Sequence, residues 1–312
     1  MLNKNDKDNF IRRIKETSQL TGFNDIYIEK DYYATVFLSK ISELSNNIIF
    51  KGGTALSKSD FFNYHRMSED LDFQMRLPNT TITRKMRSDL MKEIKEKIKI
   101  YSEQFGMDFI SIEAHNESRQ YIIMFEYKSV IIPTKQTMEM DVNLQSNPLL
   151  LTEKKEIKHK FIDIFTKESL INTDKIEMLS LKELLSEKLR AAATREEIAS
   201  RDFYDIDFAM RNNKIDFTNK EFISIFKEKL KQDNKDADIL KYKKDCGRTK
   251  MEINQMREKL KDELLPVLNL SEQKTFSIDN ALKNINVMME KMIIAEKEQT
   301  KSSEIKSSGL GD

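Results

Sequence analysis

Three groups of residues in this 312-residue chain have the types and spacing to act on phosphate. The first is Asp70-Leu71-Asp72. Glu69–Met75 alternates polar and apolar, the period of a half-buried strand, so Asp70 and Asp72 share one side of it. The second is Gly52-Gly53, the one adjacent glycine pair in a chain with only seven glycines. It follows a compact apolar run, Asn47–Lys51, and precedes a short helical stretch, Thr54–Ser59. Glycine at such a junction lets backbone approach a ligand closely, and a helix start offers free N–H groups to phosphate. The third is an acid on a later strand, Gln136–Leu144, where Glu139 and Asp141 share the polar face with Asn143 and both fit. Two like charges about 4 Å apart repel by roughly 4 kcal/mol at an effective dielectric of 20. Three converging carboxylates therefore call for a divalent cation, and magnesium binds carboxylate and phosphate oxygens together. A metal pair can clamp the attacking and leaving oxygens of a nucleotidyl displacement. Alone, the glycine pair reads as a tight turn and the acid pair as surface decoration. Their order is what points to phosphate chemistry: strand, Gly-Gly, helix, Asp-x-Asp, then a further strand acid.

Phe50-Lys51-Gly52-Gly53-Thr54-Ala55-Leu56-Ser57-Lys58, followed by Arg66-Met67-Ser68-Glu69-Asp70-Leu71-Asp72-Phe73, resembles the signature of the AbiEii/AbiGii toxin family. These are nucleotidyltransferase-fold proteins of bacterial abortive-infection and toxin–antitoxin systems. Ile28-Glu29-Lys30-Asp31-Tyr32 is similar to the family's N-terminal helix. Leu184–Ala191 and Arg201-Asp202-Phe203-Tyr204-Asp205 are similar to its C-terminal motifs, and the resemblance spans roughly residues 25–210. It implies that Gly52, Gly53 and Thr54 hold a triphosphate, and that Asp70 and Asp72 bind magnesium or manganese. It also implies that Asp141 completes the metal site or helps activate an acceptor hydroxyl, while Lys188 neutralises the triphosphate. Asp202 and Asp205, three apart on one helix face, would contact base, ribose or acceptor. Lys51 and Lys58, inside the glycine motif, join the nucleotide-binding set. The implied activity moves a nucleoside monophosphate from an NTP to a hydroxyl, with RNA, above all a tRNA 3′ end, as acceptor. The implied partner is a cognate antitoxin at the gene level. The alternatives are a nucleotide-binding regulatory protein without turnover, and a metal nuclease.

Composition narrows the field further. Net charge is +1, so contact with RNA must come from local patches. Arg84–Lys99 has seven basic and three acidic residues, and Lys241–Lys250 five and one. Both also read as solvated helix faces. Cys246 is the only cysteine, which excludes an intrachain disulfide. His65, His115 and His159 match no zinc-ligand spacing. No run approaches the ~20 apolar residues of a membrane span, and Met1–Asp6 runs straight into charge, so the expected location is cytoplasmic with no membrane partner.

The elements that must position these residues are read from periodicity. Helices are expected at Asp6–Leu20 and, capped by Asn24, to about Leu44. A lysine-rich helix covers Thr83–Gln104, and strands cover Met107–Glu113, Gln120–Tyr127 and Gln136–Leu144. From about Lys175 the pattern is helical, with a capping box at Ser180–Glu183. The expected class is α+β, a nucleotidyltransferase-like mixed sheet followed by a helical domain. The expected domains are 1–147 and 148–298, with a disordered tail at 299–312.

Overall fold

The computed structural model describes residues 7–161, 163, 166 and 170–308, with side chains described through residue 298. The chain forms two compact units. A sheet unit comprises Met1–Ser180 and Pro266–Lys274, and a helical unit comprises Leu181–Leu265 and Thr275–Asp312.

The sheet unit opens with α1 (Lys7–Thr21), α2 (Asp25–Leu38) and α3 (Ile41–Leu44). The Asn24 side chain caps α2 by accepting from the Ile26 amide at 3.0 Å. The single helix expected to run to Leu44 is broken at Ser39-Lys40. There the Ser39 hydroxyl donates to the Val36 carbonyl at 2.7 Å, competing with continued helix. Next come β1 (Ile48–Lys51), α4 (Gly52–Lys58), β2 (Leu71–Met75) and α5 (Arg84–Gln104). Five strands follow these: β3 (Asp108–His115), β4 (Gln120–Lys128), β5 (Lys135–Asn143), β6 (Glu153–Glu156) and β7 (Lys175–Met178).

Among the described residues one seven-stranded mixed sheet runs in the order β3-β4-β5-β2-β1-β7-β6. β2 pairs parallel with β5 and antiparallel with β1. β1 also pairs parallel with β7, at Phe50 and Met178. The apolar faces of β2, β4 and β5 form the core, with Phe73, Phe125, Met140 and Val142 fully buried.

The domain boundary expected at 147/148 lies instead at Ser180. β6 and β7, which follow Asn147-Pro148, complete the sheet, and β7 replaces the helix expected from Lys175. β6 reads Glu-Lys-Lys-Glu, as suits a charged sheet edge, and carries no apolar alternation to reveal it.

The helical unit contains α6 (Leu181–Thr194), α7 (Ser200–Arg211), α8 (Lys220–Gln232) and α9 (Lys250–Glu263). α10 (Leu270–Thr275) lies in the segment returned to the sheet unit, and α11 (Ile278–Ser308) follows it. α6 packs on α7 and α8, and α11 on the same two helices, around Leu185, Leu189, Phe203, Phe222 and Met289. α11 continues through Ser308, ten residues into the tail expected to be disordered, because nothing from Lys297 to Ser308 is Pro or Gly; residues 309–312 lie outside the described residues. A complete capping box occurs at Thr249–Glu252. Glu183, in the first turn of α6, accepts from Lys229 of α8 at 2.6 Å.

Candidate active site

β1, β2 and β5 lie side by side at the sheet centre, and their registers bring the polar residues together. Lys51 of β1 faces Asp72 of β2, and Asp72 faces Asp141 of β5. Glu139 is two residues back on β5, near Asp70, which precedes β2. The parallel register therefore selects Asp141 as the partner of Asp72.

The glycine pair is required by space as well as conformation. Gly52 has φ +75°, and a Cβ there would stand 1.9 Å from Asp72 Oδ2. A Cβ on Gly53 would meet Arg66 Nη2 at 2.4 Å. Arg66 is only 1% exposed and also donates to the Met67 carbonyl at 2.9 Å, so it has no room to yield. The two glycines thus let one carboxylate and one guanidinium lie against the backbone at the head of α4. The Thr54 hydroxyl donates to the Asp70 carbonyl, and the Ser57 hydroxyl to that of Arg66. Thr54, expected at the triphosphate, is here committed to holding the acid loop.

Lys58 requires a correction. It is fully buried, 2.6 Å from Asp31 Oδ1, and donates to the Thr35 hydroxyl at 2.6 Å. Burial pushes its ammonium pKa down and Asp31 opposes the shift. Removing one partner of such a pair costs about 3–5 kcal/mol. Lys58 is a structural anchor for the end of α4, with no face free for a nucleotide.

The motif Glu29-Lys30-Asp31 on α2 turns out to tie the site together. Glu29 accepts from the Ser129 hydroxyl at 2.5 Å and the Val130 amide at 2.7 Å, fixing the loop that leads into β5. Lys30 pairs with Glu69, next to Asp70, at 2.7 Å. Asp31 holds Lys58 and accepts from the Tyr64 hydroxyl at 2.9 Å. Three consecutive side chains thus fix the segments carrying Asp141, Asp70 and the glycine turn.

The electrostatics of the acids match a cation site. Burial pushes Glu139 up, and Asp70 and Asp141 push it further. Asp141 is also raised by burial, against the pull of Gln120, which donates to Oδ2 at 2.6 Å, and of Lys51 and His115. Asp141 Oδ1 is buried with no hydrogen-bond partner. A buried carboxylate oxygen without a donor, among neighbouring acids, fits a divalent cation. Among the described residues no three Asp, Glu, His or Cys side chains form a ready coordination shell. Asp72 and Asp141 suit magnesium, which usually takes one or two carboxylates and completes its shell with water and substrate phosphate.

Lys188, Asp202 and Asp205 belong to the helical unit. Lys188 Nζ lies 2.8 Å from Asp202 Oδ1 and 3.1 Å from Asp205 Oδ2. Both aspartates are fully buried, and Arg195 reaches Asp202 at 3.4 Å. Burial would raise the Asp202 carboxyl, but Lys188 and Arg195 together hold it below the usual range. The basic patches are largely occupied. Lys95 and Lys99 lie over the Tyr121 and Phe109 rings, Lys97 pairs with Glu93, Lys241 with Asp236, and Lys243 with Glu290.

Sequence reading missed the positioning roles of Glu29, Lys30, Asp31, Tyr64 and Gln120. One signal was available: Glu-Lys-Asp interrupts a helix whose other residues from Ile28 to Leu38 are aromatic, aliphatic or small.

No helix among the described residues is long and apolar enough to cross a membrane. No curated protein sequence matches the chain. Several solved structures are similar to the chain. A proposed nucleotidyltransferase from H. pylori is 15% identical with a TM-score of 0.50, covering 88% of this chain and 98% of its own. JHP933 from Helicobacter pylori is 15% identical with a TM-score of 0.48, covering 91% and 99%. The nucleotidyltransferase toxin MenT4 from Mycobacterium tuberculosis is 15% identical with a TM-score of 0.49, covering 86% and 97%. Residues 36–300 match the family described as nucleotidyl transferase AbiEii toxin, type IV TA system, and the chain belongs to that family of nucleotidyltransferase toxins.

Proposed function

We propose that the protein transfers a nucleoside monophosphate from an NTP to a hydroxyl of RNA, above all the 3′ end of a tRNA. The observation that carries this reading is the register of Asp72 beside Asp141, against Gly52, with the Asp141 Oδ1 atom buried and unpartnered. Asp70, Asp72 and Asp141 would hold magnesium or manganese. The ion, when bound, would polarise the reacting phosphate and neutralise charge on the departing pyrophosphate. The chain's own residues do the rest. Backbone N–H groups of Gly52 and Gly53 receive phosphate oxygens. Lys51, facing Asp72 across the ladder, supplies positive charge at the acids. Gln120 fixes the Asp141 carboxylate through Oδ2 and leaves Oδ1 open toward the reacting groups. An antitoxin partner follows from membership of a type IV toxin–antitoxin family.

The test is incubation of the protein and magnesium or manganese with each α-labelled NTP and total cellular RNA. Label on RNA, lost when the terminal ribose hydroxyls are oxidised, supports the reading. Label that survives oxidation, label on protein alone, nucleotide binding without transfer, or shortening of the RNA would each overturn it.

A further inference from the structure

The strand registers that align the acids also fix what lies beside them. One row across the sheet runs Lys51, Asp72, Asp141, Ile122 and Glu113, on β1, β2, β5, β4 and β3. The next row sets Glu139 beside Met124, and Met124 beside Ser111. Residues directly opposite one another share a face, so Ile122 and Met124 stand on the same face as the acids. Of the side chains that β2, β4 and β5 present on this face, these two alone are apolar. Both are only half-buried, whereas Tyr121, Ile123 and Phe125, on the other face of β4, are fully buried. Packing of the core does not account for them.

Their place relative to the glycine turn has a chemical direction. In a nucleotidyl displacement the attacking and leaving oxygens are in line, on opposite sides of the phosphorus. With phosphates at Gly52 and Gly53, which follow β1, pyrophosphate departs on the β1 side of the acids. The attacking hydroxyl then approaches from the β4 side. Neighbouring strands lie about 4.8 Å apart, so Ile122 is one strand spacing beyond Asp141. Met124 is about 7 Å further along the same strand. Carboxylates flank the patch. Glu113, Glu126 and Glu139 share its face, and Lys135 is already paired with Glu126 at 2.9 Å. Such a rim repels a phosphodiester backbone and tolerates an uncharged ring. The polarisable methionine thioether makes favourable contact with aromatic rings, and enzymes that act on nucleic acid hold bases against apolar side chains.

Granted the transfer to RNA proposed above, we infer that Ile122 and Met124 seat the base of the acceptor's terminal nucleotide and so bring its ribose hydroxyl to Asp141. The β4 side of the acids then serves the acceptor, and the β1 side serves the NTP phosphates.

Two short oligoribonucleotides test this, one ending in adenosine and one ending in the same ribose without its base. Binding is followed through the isoleucine and methionine methyl NMR signals of the full chain, with magnesium and the α,β-methylene analogue of each NTP. The expected result is saturable shifts at Ile122 and Met124 from the adenosine end and none from the abasic end. In the transfer assay, Ile122→Thr with Met124→Gln, which keeps side-chain size, should raise the KM for the oligonucleotide by about tenfold and leave the KM for NTP unchanged. Ile122→Val with Met124→Leu should restore the wild-type value. The assignment is overturned by absence of shifts at these methyls, by equal shifts from both oligonucleotides, by an unchanged oligonucleotide KM in the polar variant, or by a rise in the KM for NTP instead. Absence of transfer to any RNA overturns the proposed function, and the methyl shifts still decide whether a terminal base sits on Ile122 and Met124.

Discussion

Two acidic pairs in this molecule look alike in sequence and differ in electrostatic state. Asp70-x-Asp72, with Glu139 and Asp141 beside it, lies in the sheet unit, where burial pushes Glu139 and Asp141 up and neighbouring carboxylates push Glu139 further. Asp202-x-x-Asp205 lies in the helical unit, where Lys188 and Arg195 hold Asp202 down. The sheet acids are stressed as they stand and gain from a ligand of positive charge. The helical acids already have theirs. The comparison teaches that a carboxylate pair marks a metal site when its surroundings leave it electrostatically unfavourable, and marks a structural lock when a buried cation completes it.

The largest test of this contrast is Asp72→Asn. Transfer to RNA should fall on the order of 10³-fold, as for loss of a principal electrostatic contact, while Tm holds or rises, because one repulsive charge is gone. Label incorporation and thermal melts measure both. Activity within tenfold of wild type would remove Asp72 from the site. The helical lock should respond in the opposite way. Lys188→Met leaves two fully buried carboxylates without their main cation and should destabilise by about 3 kcal/mol. An exposed lysine would change stability by less than about 0.5 kcal/mol, and urea unfolding separates the two outcomes. Gly52→Ala should combine both effects, with transfer lost and about 1–3 kcal/mol of strain from φ +75° and the Asp72 carboxylate. Unchanged stability would mean that the turn relaxes.

Acid sharpens the comparison further. The Asp202 pKa is depressed in the folded state, so its stabilisation is complete above the ordinary carboxylate value of 3.8 and is lost as pH falls through the lower folded value. Hydrogen exchange on α7 should therefore accelerate only below about pH 4, and Asp202→Asn should flatten that dependence. The smallest effect is expected from Lys243→Glu. Its pair with Glu290 is half exposed on both sides, so stability should change by less than about 0.5 kcal/mol. A loss comparable to that of Lys188→Met would erase the distinction between buried and surface pairs.

Much of the arrangement was legible from residue order. Alternation in Glu69–Met75 and Gln136–Leu144 located β2 and β5, and the glycine pair marked the β1–α4 turn. What sequence could not supply was adjacency. Glu139 and Asp141 are equivalent by pattern, and only the β2–β5 register separates them. Lys58 sits inside the glycine motif, yet Asp31, remote in sequence, decides its role. β6 was invisible because a charged edge strand has no apolar face to betray it.

The return of Pro266–Lys274 to the sheet unit bears on how the toxin is made. The Met67 amide donates to the Val267 carbonyl at 2.8 Å, and the Leu270 amide to that of Gly22 at 3.0 Å. Both contacts join segments on either side of the about 85 residues of Leu181–Leu265. At about 5–20 residues per second, that insertion takes roughly 4–17 s to synthesise. During this interval a nascent chain already carries Asp70, Asp72 and Asp141 but lacks the strap that closes the loop leading to Asp70. Maturation of the acid site is thereby tied to synthesis past Lys274, and a ribosome stalled within the helical unit would hold an unfinished sheet unit.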